Sequence, residues 1–173
     1  MASNHKIWTL LMLVLLTTPF APASAQDATS PVMVEVQPNP EGPDRGNEWV
    51  EFANPLPVDL DLEGFYLTDY DRCSVAGQGW VDPYYWPLSG IVPAQGRLVV
   101  ELPSNCPLLR NGGEVLALTL ADGTVLQEIA WGDEGPLDAP DPGESLFACH
   151  QEANLHGAWQ PGPATRAAGN PAC

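Results

Sequence analysis

The acidic side chains pose the first chemical question in this chain. Glu35, Glu48 and Glu51 sit on or beside two stretches that alternate apolar and polar residues. Paired carboxylates can share acid–base work when burial or crowding drives their pKa values apart. The plainer expectation is that all three are solvent-face or edge residues, because strand edges carry charges that block aggregation. Asp59-Leu-Asp61 and Asp69-Tyr-Asp71 set acids two apart, and Asp133, Glu134, Asp138 and Asp141 crowd a later loop. Acids so spaced in a loop can converge on Ca²⁺, which takes roughly six to eight oxygens. Neither Asp-x-Asp stretch has the Gly and terminal Glu of an EF-hand loop. Asp69, Asp71, Asp133 and Asp138 are the resulting metal candidates, set against solvated charge as the default. No other cofactor is expected.

Cys149-His150, Glu152 and His156 offer ligand types for a metal. His150-Gln-Glu152 resembles a fragment of the zinc-deaminase pattern, but the partner Pro-Cys-x-x-Cys is absent. His-Glu-x-x-His, Gly-x-Ser-x-Gly, a P-loop and Gly-x-Gly-x-x-Gly are absent too. A surface histidine beside a disulfide is the expectation here. Trp80, Tyr84, Tyr85 and Trp86 cluster in or near one loop. Such aromatics can stack on sugars or anchor a protein partner, or form a satellite core beneath the loop.

The elements that must position these residues are short strands. Val32–Gln37, Glu48–Ala53, Val58–Leu62, Phe65–Asp69, Arg97–Leu102 and Ser145–Cys149 carry apolar residues at the strand period or as short apolar runs. Tyr84–Trp86 is a brief pairing segment, and Ile91–Gly96 reads as a turn connection. Val115–Trp131 is a hairpin centred on Asp122-Gly123, a pair that predicts φ > 0 at both turn positions. Tyr70–Pro83 and Gly132–Gly143 read as loops, and Gln151–Cys173 as a mostly irregular tail. Nineteen prolines and 16 glycines argue against long helices. Strands this close leave no room for crossover helices, so the fold class is all-β. The expected architecture is an immunoglobulin-like antiparallel sandwich, with a barrel as the alternative.

The N-terminus reads as a secretory signal peptide: Lys6, the apolar run Ile7–Leu16, and the small-residue site Ala23-Ser-Ala25. Residues 1–25 are then removed, 26–31 form a short leader, and 32–173 form the domain. The remaining chain has five Arg, no Lys and 22 acids, a net charge near −17. Phosphate backbones are bound by cations, so nucleic acid is excluded as a partner. No second apolar stretch is long enough to span a membrane. An even set of four cysteines in an exported chain favours two disulfides. Cys73–Cys106 and Cys149–Cys173 are the expected pairs, the second tying the tail to the last strand.

The order of several segments carries a family resemblance. Glu35 with Pro38-Asn-Pro40, then Glu48-Trp-Val-Glu-Phe52 with Asn54-Pro55, then Val58-Asp-Leu60 with Gly64-Phe-Tyr-Leu-Thr-Asp69 come first. Ile91–Val99, Asn111–Leu118, Asp122-Gly123 and Ile129–Asp133 follow. Together they resemble the lamin-tail domain family, an immunoglobulin-like module also found in bacterial exported proteins. The family often ends in Thr-Pro-Gly-x-Pro-Asn, where this chain has Thr165-Arg-Ala-Ala-Gly-Asn170, and the four cysteines are extra to the pattern. The resemblance implies an interaction role and no catalytic set.

Signal, acidity and missing catalytic motifs lead to one expectation: an exported, non-catalytic module that binds a protein or a glycan at the cell exterior. A divalent-metal-dependent extracellular hydrolase, or an accessory domain of one, is the alternative, and a structural envelope component is the second.

Overall fold

The structure is a computed structural model that describes residues 30–106, 109–149 and 158–173. The signal segment and His150, Glu152 and His156 lie outside the described residues. The strands in chain order are β1 (Val32–Gln37), β2 (Trp49–Ala53), β3 (Leu60–Asp61), β4 (Phe65–Thr68), β5 (Cys73–Val75), β6 (Gly79–Val81), β7 (Trp86–Pro87), β8 (Ile91–Val92), β9 (Arg97–Glu101), β10 (Gly113–Leu120), β11 (Val125–Gly132), β12 (Glu144–Ala148) and β13 (Trp159–Pro163). Among the described residues there is no helix, so none is long and apolar enough to cross a membrane.

Two antiparallel sheets form a sandwich. The larger has the order β13-β12-β1-β2-β9 and the smaller β11-β10-β4-β7. Between them lies one apolar core that includes Met33, Val36, Val50 and Phe52 of the larger sheet and Leu67, Leu116, Leu118 and Trp131 of the smaller. The two sheets are also joined at one edge by a side chain. Gln127 of β11 accepts the Met33 amide at 2.9 Å and donates to the Met33 carbonyl at 2.8 Å. This clamp sits beside the register shift between Met33 and Glu35 in β1. It gives the backbone of Met33 the partners that a strand would otherwise supply.

Four local expectations are corrected. The hairpin turn has positive φ at Gly123 but not at Asp122. Gly123 donates to the Leu120 carbonyl, and Leu120 donates to the Thr124 carbonyl. The loop is thus three residues long, Ala121 to Gly123, with glycine at the left-handed position. The segment read as one loop from Tyr70 contains the β5–β6 hairpin, and Ile91-Val92 pairs with β3. Part of the tail is also strand: β13 pairs with β12 along its whole length. Pro161 and Pro163 hid it, because proline is tolerated only on a sheet edge, which is where β13 lies.

Beyond β13 the chain turns back over the larger sheet. Asn170 donates to the carbonyls of Val34 (2.7 Å) and Ala148 (2.9 Å). The Cys149–Cys173 disulfide closes this strap, and Cys73–Cys106 closes the other loop, so both bonds join the cysteines paired from sequence. Replacing Asn170 by Ala removes the donor from two buried carbonyls. The expected loss is about 2–3 kcal/mol of unfolding free energy, measured by urea denaturation under oxidising conditions.

Candidate functional site

The three glutamates singled out first are not solvated; each is fully buried. Glu35 and Glu51 lie opposite each other on β1 and β2, on the sheet face turned away from the inter-sheet core. Strand alternation therefore placed them on the correct face. The strap 164–173 then covers that face, which sequence period alone does not reveal. Glu35 accepts from Ser145 Oγ (2.5 Å), the Thr165 amide (2.7 Å) and Thr165 Oγ1 (2.8 Å). Arg97 Nη1 lies 3.4 Å from Glu51 Oε1 and 3.4 Å from Asn170 Oδ1. Burial pushes the Glu51 carboxyl up, Arg97 pulls it down, and the neighbouring Glu35 pushes it up again. Among the described residues the group is a buried polar network around Arg97, in which Glu51 Oε2 has no hydrogen-bond partner of good geometry. Its role is to hold the strap.

Glu48 stands apart. By the two-residue period it shares the inward side of Val50 and Phe52. Neither of its carboxylate oxygens has a hydrogen-bond partner of good geometry. Burial raises its pKa from 4.5 to about 8, with Asp44 adding to the rise and the Leu109 amide opposing it. Glu48 is thus mostly neutral at pH 7, a form that suits its apolar surroundings.

One group of described acids comes together as a potential ligand set. Carboxylate oxygens of Asp69, Asp71 and Glu114 lie within 4.8 Å of one another. The register of β4 on β10 makes this cluster: Ala117 pairs with Thr68, so the β10 residues before Ala117 run past the end of β4 toward Asp71. Burial raises the Asp69 carboxyl, the Asp71 amide lowers it, and the charges of Glu114 and Asp71 raise it. Glu114 is already taken by Arg110, whose Nε and Nη2 donate at 2.9 and 2.8 Å. Asp133 and Asp138, the other metal candidates, are exposed and do not join the cluster. Asp59 and Asp61 accept the backbone amides of Ala94 and Glu63 at 2.9 Å each, so they brace turns.

The aromatic loop forms a closed flap. It leaves the smaller sheet after β4 and returns at β7, where Leu67 pairs with Trp86 and Tyr66 with Pro87. The Tyr84 amide donates to the Asp71 carbonyl at 3.0 Å, drawing the two arms together. Cys73 opens the β5–β6 hairpin and ties it to Cys106. Trp86 packs against the core, so it is structural. Trp80 at the other end is 67% exposed, with the Arg72 guanidinium 4.7 Å from its ring centroid. Tyr84 and Tyr85 are half-buried.

Sequence reasoning missed Tyr70, which is 40% exposed and has φ 60°. A bulky residue in the left-handed region is strained by about 1–3 kcal/mol. Its hydroxyl donates to Glu128 at 3.0 Å. Burial and that carboxylate push the phenol up to about 12. Tyr70 was legible only as the first residue of a loop, because its partner on β11 is distant in sequence.

No protein-family model matches the chain, and no curated protein matches it.

Glu48 sets a pH dependence of stability. Its folded pKa is raised above the unfolded value, so the folded state binds more protons between the two. The stabilisation is fully present below pH 4.5 and is lost as pH rises through about 8. The expected slope reaches about 1.4 kcal/mol per pH unit within that window. Glu48→Gln should be the more stable protein at pH 8 and have a shallower slope, read from urea unfolding at pH 5, 6.5 and 8. The smaller contributions of Glu51 and Asp69, which have the same sign, remain in that variant.

Proposed function

We propose that this chain is an exported, non-catalytic interaction module, similar to lamin-tail domains, that contacts a protein or a glycan outside the cytoplasm. Residues 1–25 act as a cleavable signal peptide in this reading. The observation that carries it is the exposed Trp80 on the β5–β6 hairpin of a flap held by a disulfide. A large aromatic left in solvent on a rigid support is the composition of a contact hot spot. The strained Tyr70 in the same flap adds support, because strain of this kind persists where the surroundings hold a residue in place for use. Two disulfides suit an oxidising compartment.

The buried glutamates support the non-catalytic part. A general acid or base must reach its substrate. Glu35 is saturated by donors, and Glu51 faces Arg97 beneath the strap. A metal-dependent hydrolase remains the competing reading, and Asp69, Asp71 and Glu114 are where it would place its ion. Arg110 supplies the charge that such an ion would bring. Calorimetric titration with Ca²⁺ and with Mn²⁺ to millimolar concentration should therefore give no saturable heat. A stoichiometric isotherm lost in Asp71→Asn would favour the hydrolase. The contact role is tested by immobilising the mature domain in extracellular extract. Trp80→Ala should lose the specifically retained species while its far-UV circular dichroism stays unchanged.

A further inference from the structure

We propose that the flap face docks an arginine- or lysine-bearing segment of a partner protein. The proposal rests on the contact role just assigned and names the partner's chemistry. Trp80 already holds a guanidinium, that of Arg72, over its ring, and two-thirds of the residue still meets solvent. Indole is the aromatic ring best suited to cations. A second guanidinium or ammonium arriving from a partner meets the same attraction.

The surrounding charge selects in the same direction. Asp69, Asp71 and Glu114 converge at the root of the flap, where Arg110 pairs with Glu114. Tyr70 reaches across to Glu128, which is exposed. The Tyr85 hydroxyl lies against the β10–β11 turn, where a Cβ on Gly123 would sit 3.6 Å from it, and the exposed Asp122 occupies that turn. Tyr70, Asp71 and Arg72 are consecutive, so the chain links the Glu128 contact, the acid cluster and the Trp80 ring, and these acids outnumber Arg72 and Arg110. Long basic side chains fit such a surface twice over: their stems lie on rings while their heads reach carboxylates. A neutral sugar could stack on the rings but gains nothing from the excess charge. An anionic polymer is repelled by it.

The flap is also prepared for docking. Cys73–Cys106 ties one arm, Trp86 anchors the other in the core, and the Tyr84–Asp71 backbone bond joins them. A preformed surface avoids the ordering cost of binding.

The test uses the intact mature protein with both disulfides formed. The probes are a twelve-residue peptide of alternating Arg and Gly, the same peptide with Glu for Arg, and a soluble neutral β-glucan. Tryptophan fluorescence and calorimetry are read at low and at moderate salt. The arginine peptide should bind, more weakly as salt rises, and the glutamate peptide should not. Trp80→Ala and Glu128→Gln should each weaken binding about tenfold, and Trp80→Phe should weaken it less than Trp80→Ala. Glu63→Gln makes the same charge change in the turn before β4, at the strand end opposite Tyr70, and should alter affinity less than about twofold. Equal losses in Glu63→Gln and Glu128→Gln would mean diffuse attraction to an acidic protein, and the proposal falls. Binding of the glucan through Trp80, with no response to the arginine peptide, overturns the basic partner but leaves the contact face intact. No effect of Trp80→Ala on any probe, nor on retention from extract, removes both.

Discussion

Two glutamates placed side by side on the central strands are the constraint around which this domain is built. Like charges directly opposite each other in a sheet repel. Taking them out of water without partners would cost several kcal/mol more. Glu35 and Glu51 are nevertheless fully buried. They are tolerable because Arg97 supplies a positive charge and the returning tail supplies donors. The tail is therefore part of the fold. It contributes Thr165 to Glu35, brings Asn170 between Arg97 and two backbone carbonyls, and lays Arg166 over the Trp49 ring at 5.8 Å. Arg166 also pairs with Glu101 at the far edge. β13 delivers the strap to the right place, and Cys149–Cys173 keeps its end there.

This explains which parts of the fold could be read from the residues. Alternation along Val32–Gln37 and Glu48–Ala53 located β1 and β2 and put Glu35 and Glu51 on the face opposite Val36 and Val50, but the register shift after Met33 turns Met33, not Val32 and Val34, into the main core. Alternation says only which side a residue takes; it is silent on what covers that side. A sandwich sheet commonly leaves its outer face wet, so the acids were expected in solvent. The covering segment is more than a hundred residues away in the chain. Its Thr165 and Asn170 stand five apart in a stretch with no periodic pattern. The cysteine pairing was legible for a different reason, since four cysteines allow few pairings and each pair lies close to an expected strand end. The Asp-Gly signal found its hairpin but not its geometry, because Ala121 joins the turn and a register shift between Leu118 and Thr119 absorbs the extra residue.

The candidate face was legible in composition and hidden in arrangement. Trp80, Tyr84, Tyr85 and Trp86 are adjacent enough in sequence to be noticed. Their different fates follow from where the flap closes. Trp86 lies in a strand that pairs with β4 and packs against the core, whereas Trp80 lies in the middle of β6, in a separate two-stranded hairpin, and stays exposed. Asp69 and Asp71 drew notice by spacing, but their third companion, Glu114, arrives only through the β4–β10 register. Arg110 then comes with it, four residues earlier, and converts a bare acidic cluster into a partly neutralised one. Asp133 and Asp138, equally acidic in sequence, gain no such company.

The acids of this chain therefore divide by what the backbone brings to them. Those reached by the strap or by Arg97 become structural, and their chemistry is consumed in holding the domain closed. Glu48 is reached by almost nothing, so it keeps its proton and behaves near neutrality as a polar but uncharged core residue. Of those around the flap, Asp71 and Glu128 are exposed, while Glu114 is buried against Arg110. A carboxylate can act on a partner only where the partner can approach, and the exposed Glu128 is met there by the hydroxyl of the exposed Tyr70. That coincidence favours contact over turnover: recognition of a cation needs a fixed ring and a nearby charge, whereas acid–base catalysis needs a shielded carboxylate that still meets its substrate. The carboxylates most shielded from water, Glu35, Glu48 and Glu51, lie under the strap or inside the core, where no substrate reaches them.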